Sequence, residues 1–92
     1  MQKYQVSYTP SFKRDYKLAQ KRGYNLDLLK EVVKALANGE ELPERNHDHA
    51  LTGNFKGCRE CHIKPDWLLI YQIAGETLLL SLIRTGTHSD LF

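Results

Sequence analysis

Two cysteines, one methionine and one tryptophan are all that this 92-residue chain has of those residue types, and the scarcity closes off several classes of function. Small secreted domains that rely on disulfides are cysteine-dense, which two cysteines cannot supply. Long apolar runs are missing as well. Trp67-Leu68-Leu69-Ile70-Tyr71 is the longest, far short of the roughly 20 residues of a membrane-spanning helix. Met1-Gln2-Lys3-Tyr4-Gln5 holds no apolar stretch of the kind a secretory leader carries, so the expected location is cytoplasmic, with no membrane partner. Neither sign of charge dominates: 13 Lys and Arg face 11 Asp and Glu, and a net +2 names no partner by itself.

With 41% hydrophobic and 26% charged residues, the composition is that of an ordinary folded domain, and 92 residues make one, spanning 1–92. The distribution of charge says more than its sum. Residues 1–40 hold eight basic against four acidic side chains, and Lys13, Arg14, Lys17, Lys21 and Arg22 face only Asp15. Such a strip can track a phosphate backbone or can be a solvated helix face.

Lys3–Tyr8 alternates, with Tyr4, Val6 and Tyr8 on one side, and predicts a half-buried strand. Thr9-Pro10 is a helix start, with proline at the first helical position. Phe12, Tyr16 and Ala19 recur at helical spacing, and Gly23 ends that helix. Asn25 caps a second one, whose stripe of Leu26, Leu29, Val32, Val33 and Leu36 closes at Asn38-Gly39. The short link predicts an antiparallel helical hairpin. From Glu40 to about Gly57 no period is visible, and a long loop is expected. Cys58–Lys64, Trp67–Ile73 and Thr77–Arg84 then read as strands, joined by turns at Pro65-Asp66 and Ala74-Gly75-Glu76. Trp67–Tyr71, apolar on both sides, is expected at the centre of the sheet. The fold class is therefore α+β, in the order βααβββ, with the helical hairpin packed on a mostly antiparallel sheet.

Cys58-Arg59-Glu60-Cys61-His62 has the spacing of covalent haem attachment. Strand alternation argues against that use. Cys58, Glu60 and His62 project to one face and Arg59, Cys61 and Ile63 to the other, which also separates the sulfurs of any redox pair. Met1 is the only methionine, so a distal ligand is hard to place. His47 and His49, with Cys61 or His62, offer zinc-type ligands at a spacing that fits no common zinc module. No metal and no cofactor are expected.

The last third of the chain gathers different chemistry. His62, Asp66, Arg84 and His88 sit at the ends of neighbouring predicted strands, with His49 in the preceding loop. Imidazoles titrate near neutrality and can take or give a proton. A carboxylate can orient them, and a guanidinium can hold a phosphate. Singly, Asp66 is an ordinary turn residue, Arg84 a strand-end charge and His49 a surface histidine. Together they form a candidate catalytic set for cutting RNA without a metal. Lys56 and Arg59 add positive charge, while Phe55 and the terminal Phe92 offer faces on which an unstacked base can lie.

At these residues the chain resembles the RelE/ParE toxin superfamily, and within it the YafQ branch of messenger-RNA interferases. Three stretches carry the likeness: Asp48–Gly57 (DHALTGNFKG), Arg59–Tyr71 (RECHIKPDWLLIY) and Arg84–Phe92 (RTGTHSDLF). The resemblance implies a RelE-like fold and a ribosome-dependent endoribonuclease, the toxin of a type II toxin–antitoxin pair. It implies messenger RNA on the ribosome as substrate and a DinJ-like ribbon–helix–helix antitoxin as partner. His49, His62, Asp66 and His88 match the family's catalytic positions, Phe92 its C-terminal aromatic, and Arg84 an active-site arginine of related members. Proton transfer would run from the ribose 2′-OH to His62 or Asp66 and from His88 to the leaving 5′-oxygen. Arg84 and Lys56 would stabilise the phosphorane, and His49 would place the scissile phosphate. Two other readings compete. A ParE-like inhibitor of DNA gyrase shares the fold but has no use for gathered histidines. A DNA-binding repressor explains the basic first helix and leaves the C-terminal cluster unexplained.

Overall fold

The computed structural model describes residues 2–92. Its elements are β1 (Gln5–Tyr8), α1 (Pro10–Lys21), α2 (Leu26–Ala37), β2 (His49–Ala50), β3 (Arg59–Lys64), β4 (Trp67–Ala74), β5 (Leu79–Gly86) and α3 (His88–Leu91), with short 3-10 turns at Glu44–Asn46 and Gly53–Phe55. Both long helices begin on side-chain caps. Thr9 Oγ1 accepts from the Phe12 amide at 2.9 Å and itself donates to the Ile83 carbonyl at 2.7 Å, so one hydroxyl starts α1 and pins it to β5. Asn25 Oδ1 accepts from the Asp27 amide at 3.1 Å and starts α2. Gly23 between them has φ +77°, a left-handed turn that costs glycine little.

The five strands lie in the order β1-β5-β4-β3-β2, with β1 parallel to β5 and every other pair antiparallel. The apolar strand β4 is thus central, and Trp67 through Tyr71 are all buried. Alternation divides them between two cores. Trp67, Leu69 and Tyr71 join Cys61, Leu80 and Leu82 beneath Phe12 and Ala19 of α1 and Leu29, Leu36 and Ala37 of α2. Leu68 and Ile70 face the other way, into a smaller cluster closed by Leu91 of α3 with Leu51, Phe55, Cys58 and Ile83. The two sulfurs fall on opposite faces, as the alternation predicts.

Four expectations need correction. The first strand starts at Gln5 rather than Lys3, because the amides of Lys3 and Tyr4 both donate to the Ala37 carbonyl at 2.8 Å and satisfy the end of α2 instead of a strand ladder. Tyr8, expected to be covered, is 51% exposed. The last strand runs Leu79–Gly86 rather than Thr77–Arg84, since the preceding turn extends to Leu78, whose φ is +51°. The expected long loop carries a fifth strand. His49 and Ala50 pair with Glu60 and Arg59 at the edge of β3, and a two-residue strand has no period to detect.

Candidate active site

The second face of the sheet is where the titratable residues converge. In β3, Glu60 and His62 pair with Ile70 and Leu68, and His49 of β2 pairs with Glu60, so all three lie on the face closed by α3. His62 Nδ1 meets the Pro65 carbonyl at 3.3 Å, and His49 Nδ1 meets the His47 carbonyl at 2.6 Å. A carbonyl only accepts, so these contacts place a hydrogen on each Nδ1 and leave the Nε2 atoms toward Glu60. The distances from Glu60 Oε1 are 3.5 Å to His49 Nε2 and 3.6 Å to His62 Nε2. Glu60 is itself buried, at 5% exposure. A carboxylate seldom goes that deep unless it faces a partner.

His88 reaches this group from the other side. Thr87 and Asp90 form a capping box: the Asp90 amide donates to Thr87 Oγ1 at 3.1 Å and the Thr87 amide to Asp90 Oδ2 at 2.9 Å. Arg22, just past α1, clamps Asp90 through Nη1 at 2.7 Å and Nη2 at 3.2 Å. Gly86 is required where this turn begins, since a Cβ there would lie 2.9 Å from Asp90 Oδ2. Asp66, in the β3–β4 turn, accepts from both the backbone amide of His88, at 3.1 Å, and its Nδ1, at 2.6 Å. His88 Nε2 is left free to face substrate.

The rings of His62 and His88 lie 5.7 Å apart between centroids, His49 and His62 6.5 Å, and His47 and His62 5.4 Å. One donor atom each from Glu60, His62 and His88 falls within 4.8 Å of the other two. His88 is more than half exposed, whereas His62 is largely covered, at 19% for its side chain. A phosphodiester can therefore enter from the His88 side and meet groups able to take and give protons.

Charge around the site follows from these contacts. Asp66 is held below the ordinary carboxylate range, first by its bond to the His88 ring and then by the His88 amide. Asp90 is held well below it, first by Arg22 and then by the Thr87 amide. Burial pushes the Cys61 thiol, on the side covered by α1 and α2, up to about 12, and it raises Cys58 on the opposite face as well, so neither is a thiolate near neutral pH.

Of the residues singled out in the sequence, His49, His62, Asp66 and His88 come together, and Phe92 lies one turn beyond His88 with its ring edge-on to Phe55 at 5.7 Å. Arg84 pairs with Ile70, in line with Glu60 on this face, but its side chain is drawn toward α1. Its Nε and Nη2 are held by Asp15 of α1 at 2.6 and 3.1 Å, and the same carboxylate accepts the Thr85 amide at 3.1 Å, filling the edge of β5 beyond β1. Arg59 points to the opposite face from His62. It shares Asp48 with the Tyr71 hydroxyl, at 3.2 and 2.7 Å. Lys56 is exposed beside Phe55. The basic strip of α1 also divides: Arg22 serves Asp90, while Lys13 and Lys17 join Lys30 and Lys34 of α2 around an apolar groove of about 680 Å³ floored by Val6, Phe12, Leu29 and Val33.

Sequence reasoning passed over Glu60, Asp15 and the Thr87 cap. The cap had a signal, Thr87 followed three residues later by Asp90, which approximates a capping box. Cys61 is buried on the far face, so it cannot join His47 and His49 around zinc. Among the described residues, the trio that could hold a metal is Glu60, His62 and His88, since two imidazoles and a carboxylate suit zinc or copper.

Residues 4–92 match the family model for the bacterial toxin of type II toxin–antitoxin systems, YafQ. The chain is 42% identical over 88 residues to the mRNA interferase toxin YafQ of Escherichia coli K12, covering 95% of this chain and 94% of that one. Its fold superposes on the toxin of the E. coli DinJ–YafQ complex with TM-score 0.88, at 41% identity and covering 98% of each chain. A metal-bound toxin from Helicobacter pylori gives TM-score 0.91 at 43% identity, covering 97% of this chain and 99% of the other.

Proposed function

This chain belongs to the YafQ family of bacterial type II toxins, and on that premise we propose that it is a ribosome-dependent endoribonuclease that cuts messenger RNA by acid–base chemistry needing no metal. The observation that carries the reading is the meeting of Glu60, His62 and His88 within 4.8 Å, with Asp66 bonded to His88.

His62 is the general base. Its Nδ1 is spent on the Pro65 carbonyl, so Nε2 takes the proton of the ribose 2′-OH, and the freed oxygen attacks the adjacent phosphorus. Glu60 faces the same Nε2 and offers negative charge to the proton that His62 gains. His88 is the general acid and gives its Nε2 proton to the departing 5′-oxygen. Asp66, with both contacts on His88, is a positioning residue rather than the base. Arg84 keeps Nη1 for charge on the phosphorane, because Asp15 takes only Nε and Nη2. His49 helps to place the scissile phosphate, Lys56 adds charge, and Phe92 supports a base. The products are a 2′,3′-cyclic phosphate and a 5′-hydroxyl.

The partner is an antitoxin similar to DinJ. The lysine-rimmed apolar groove between α1 and α2 suits an acidic amphipathic segment of such a chain. Val33→Asp should weaken capture of the cognate antitoxin while leaving cleavage intact, and unchanged capture would remove the groove from this role. Expression in cells with mapping of messenger ends tests the function. Breaks within coding regions that vanish in His88→Ala and on antitoxin co-expression support it. Intact messengers with stalled gyrase would instead favour a ParE-like action.

A further inference from the structure

Beside the catalytic cluster lies a second cleft, of about 590 Å³, that shares His62 as a wall and is otherwise lined by Arg45, Asn46, His47, Ile63, Lys64 and Pro65. It is large enough for a nucleotide unit, and none of its lining residues is acidic. Its position is fixed rather than incidental. Asn46, buried at 7% exposure, donates from Nδ2 to the His62 carbonyl at 2.7 Å and ties the 3-10 turn to β3. His47 then takes a left-handed conformation, φ +47°, which sets its ring edge-on against His62. Strained backbone of this kind persists only where the surroundings over-determine it. Arg45 and Lys64 are both exposed and flank the opening.

From this geometry we propose that the cleft is a phosphate-binding subsite for single-stranded RNA, in which Arg45 and Lys64 hold the backbone on the 5′ side of the scissile bond. The inference rests on the ribonuclease reading and adds a direction to it. The base acts on the 2′-OH of the nucleotide 5′ to the break, and the acid acts on the 5′-oxygen of the nucleotide that follows. His62 lines the cleft, so the upstream nucleotide and its own phosphate lie toward Arg45 and Lys64. His88 leads through one turn of α3 to Phe92 and Phe55, so the downstream base passes the phenyl pair. The strand thus runs 5′ to 3′ from the basic cleft to the aromatic end. Neutralising phosphate with a cation releases counterions, which makes the pairing readable through salt dependence.

The test uses the intact toxin and a hexanucleotide carrying the sequence around a mapped cut, with 2′-deoxyribose at the attacked position. Binding is followed against salt for wild type and for Arg45→Gln/Lys64→Gln. The double variant should bind more weakly, with a log–log salt slope shallower by about 0.7 for each phosphate that it no longer neutralises. A methylphosphonate one position 5′ of the scissile phosphate should weaken wild type and leave the double variant unaffected, whereas one on the 3′ side should weaken both alike. Equal melting temperatures of the two proteins exclude a folding effect. Identical slopes for the two proteins would overturn the proposal, as would a double variant that binds the hexanucleotide normally and loses affinity only for ribosomes. Should messengers stay uncut by the wild type, a mixed-sequence hexanucleotide still reports the slope, and the ribonuclease reading then fails separately from the subsite.

Discussion

The two faces of the central sheet are built from one set of strands and do opposite things. Beneath α1 and α2, alternate residues of β3, β4 and β5 bury Cys61, Trp67, Leu69, Tyr71, Leu80 and Leu82 in a continuous core. Its polar groups are spent on structure: Trp67 Nε1 donates to Thr85 Oγ1 at 3.0 Å, and that hydroxyl donates to the Leu68 carbonyl at 2.6 Å. On the other face, among the described residues, only Leu68, Ile70 and Leu91 are buried apolar residues of the cluster, and the same face carries Glu60, His62, His49 and His88. Its cover is the four-residue α3 together with Leu51, Phe55 and Cys58 of the preceding segment. The side with little apolar cover is thus the one proposed to admit substrate, and the larger core lies on the other side.

The sharpest break in that comparison is a change that removes activity and leaves stability alone. His88→Ala should lower messenger cleavage by about 10²–10⁴, because it deletes the proposed acid. Its unfolding midpoint should stay near that of wild type, since the ring is more than half exposed. A variant that unfolds early would show that His88 holds the fold rather than the reaction.

The converse change lies behind the sheet. Leu69→Ala, at a fully buried position in the helix-covered core, should cost about 2–5 kcal/mol of unfolding free energy in denaturant titrations. In the fraction that stays folded, the cleavage rate should be close to normal. A selective loss of rate without loss of stability would contradict the division of labour between the faces.

A smaller effect concerns the tether of α3. The folded protein favours ionised Asp90, through Arg22 first and the Thr87 amide second. Its contribution to stability is therefore complete above the ordinary carboxyl value of about 4 and is lost as pH falls below it. Asp90→Asn should melt lower than wild type at neutral pH, and the gap should close progressively below about pH 4. A gap that does not depend on pH would mean that the carboxylate acts only through its shape.

Much of the fold is legible from residue order because the closed face is periodic. The stripe of α2, the caps at Thr9 and Asn25, and the two-sided apolarity of Trp67–Tyr71 all report their environments directly. The open face is legible through residue type more than pattern. His62, Asp66 and His88 stand out by chemistry, while Glu60 passes as one more strand-surface charge because burial of a carboxylate leaves no local trace. The alternation that separates Cys58 from Cys61 also puts Arg59 on the face away from His62, so its place outside the cluster is already implied. Arg84 is different. Its partner Asp15 lies 69 residues away, and only the packing of α1 against β5 brings the two together.

The most direct measurement is the chemistry of the ends left on ribosome-bound messenger. The proposed attack by the 2′-OH, with His62 and His88 exchanging the protons, predicts a 2′,3′-cyclic phosphate or 3′-phosphate on one fragment and a 5′-hydroxyl on the other. Fragments bearing a 5′-phosphate and a free 3′-hydroxyl would require water as the nucleophile, and the assignment of the cluster would be wrong.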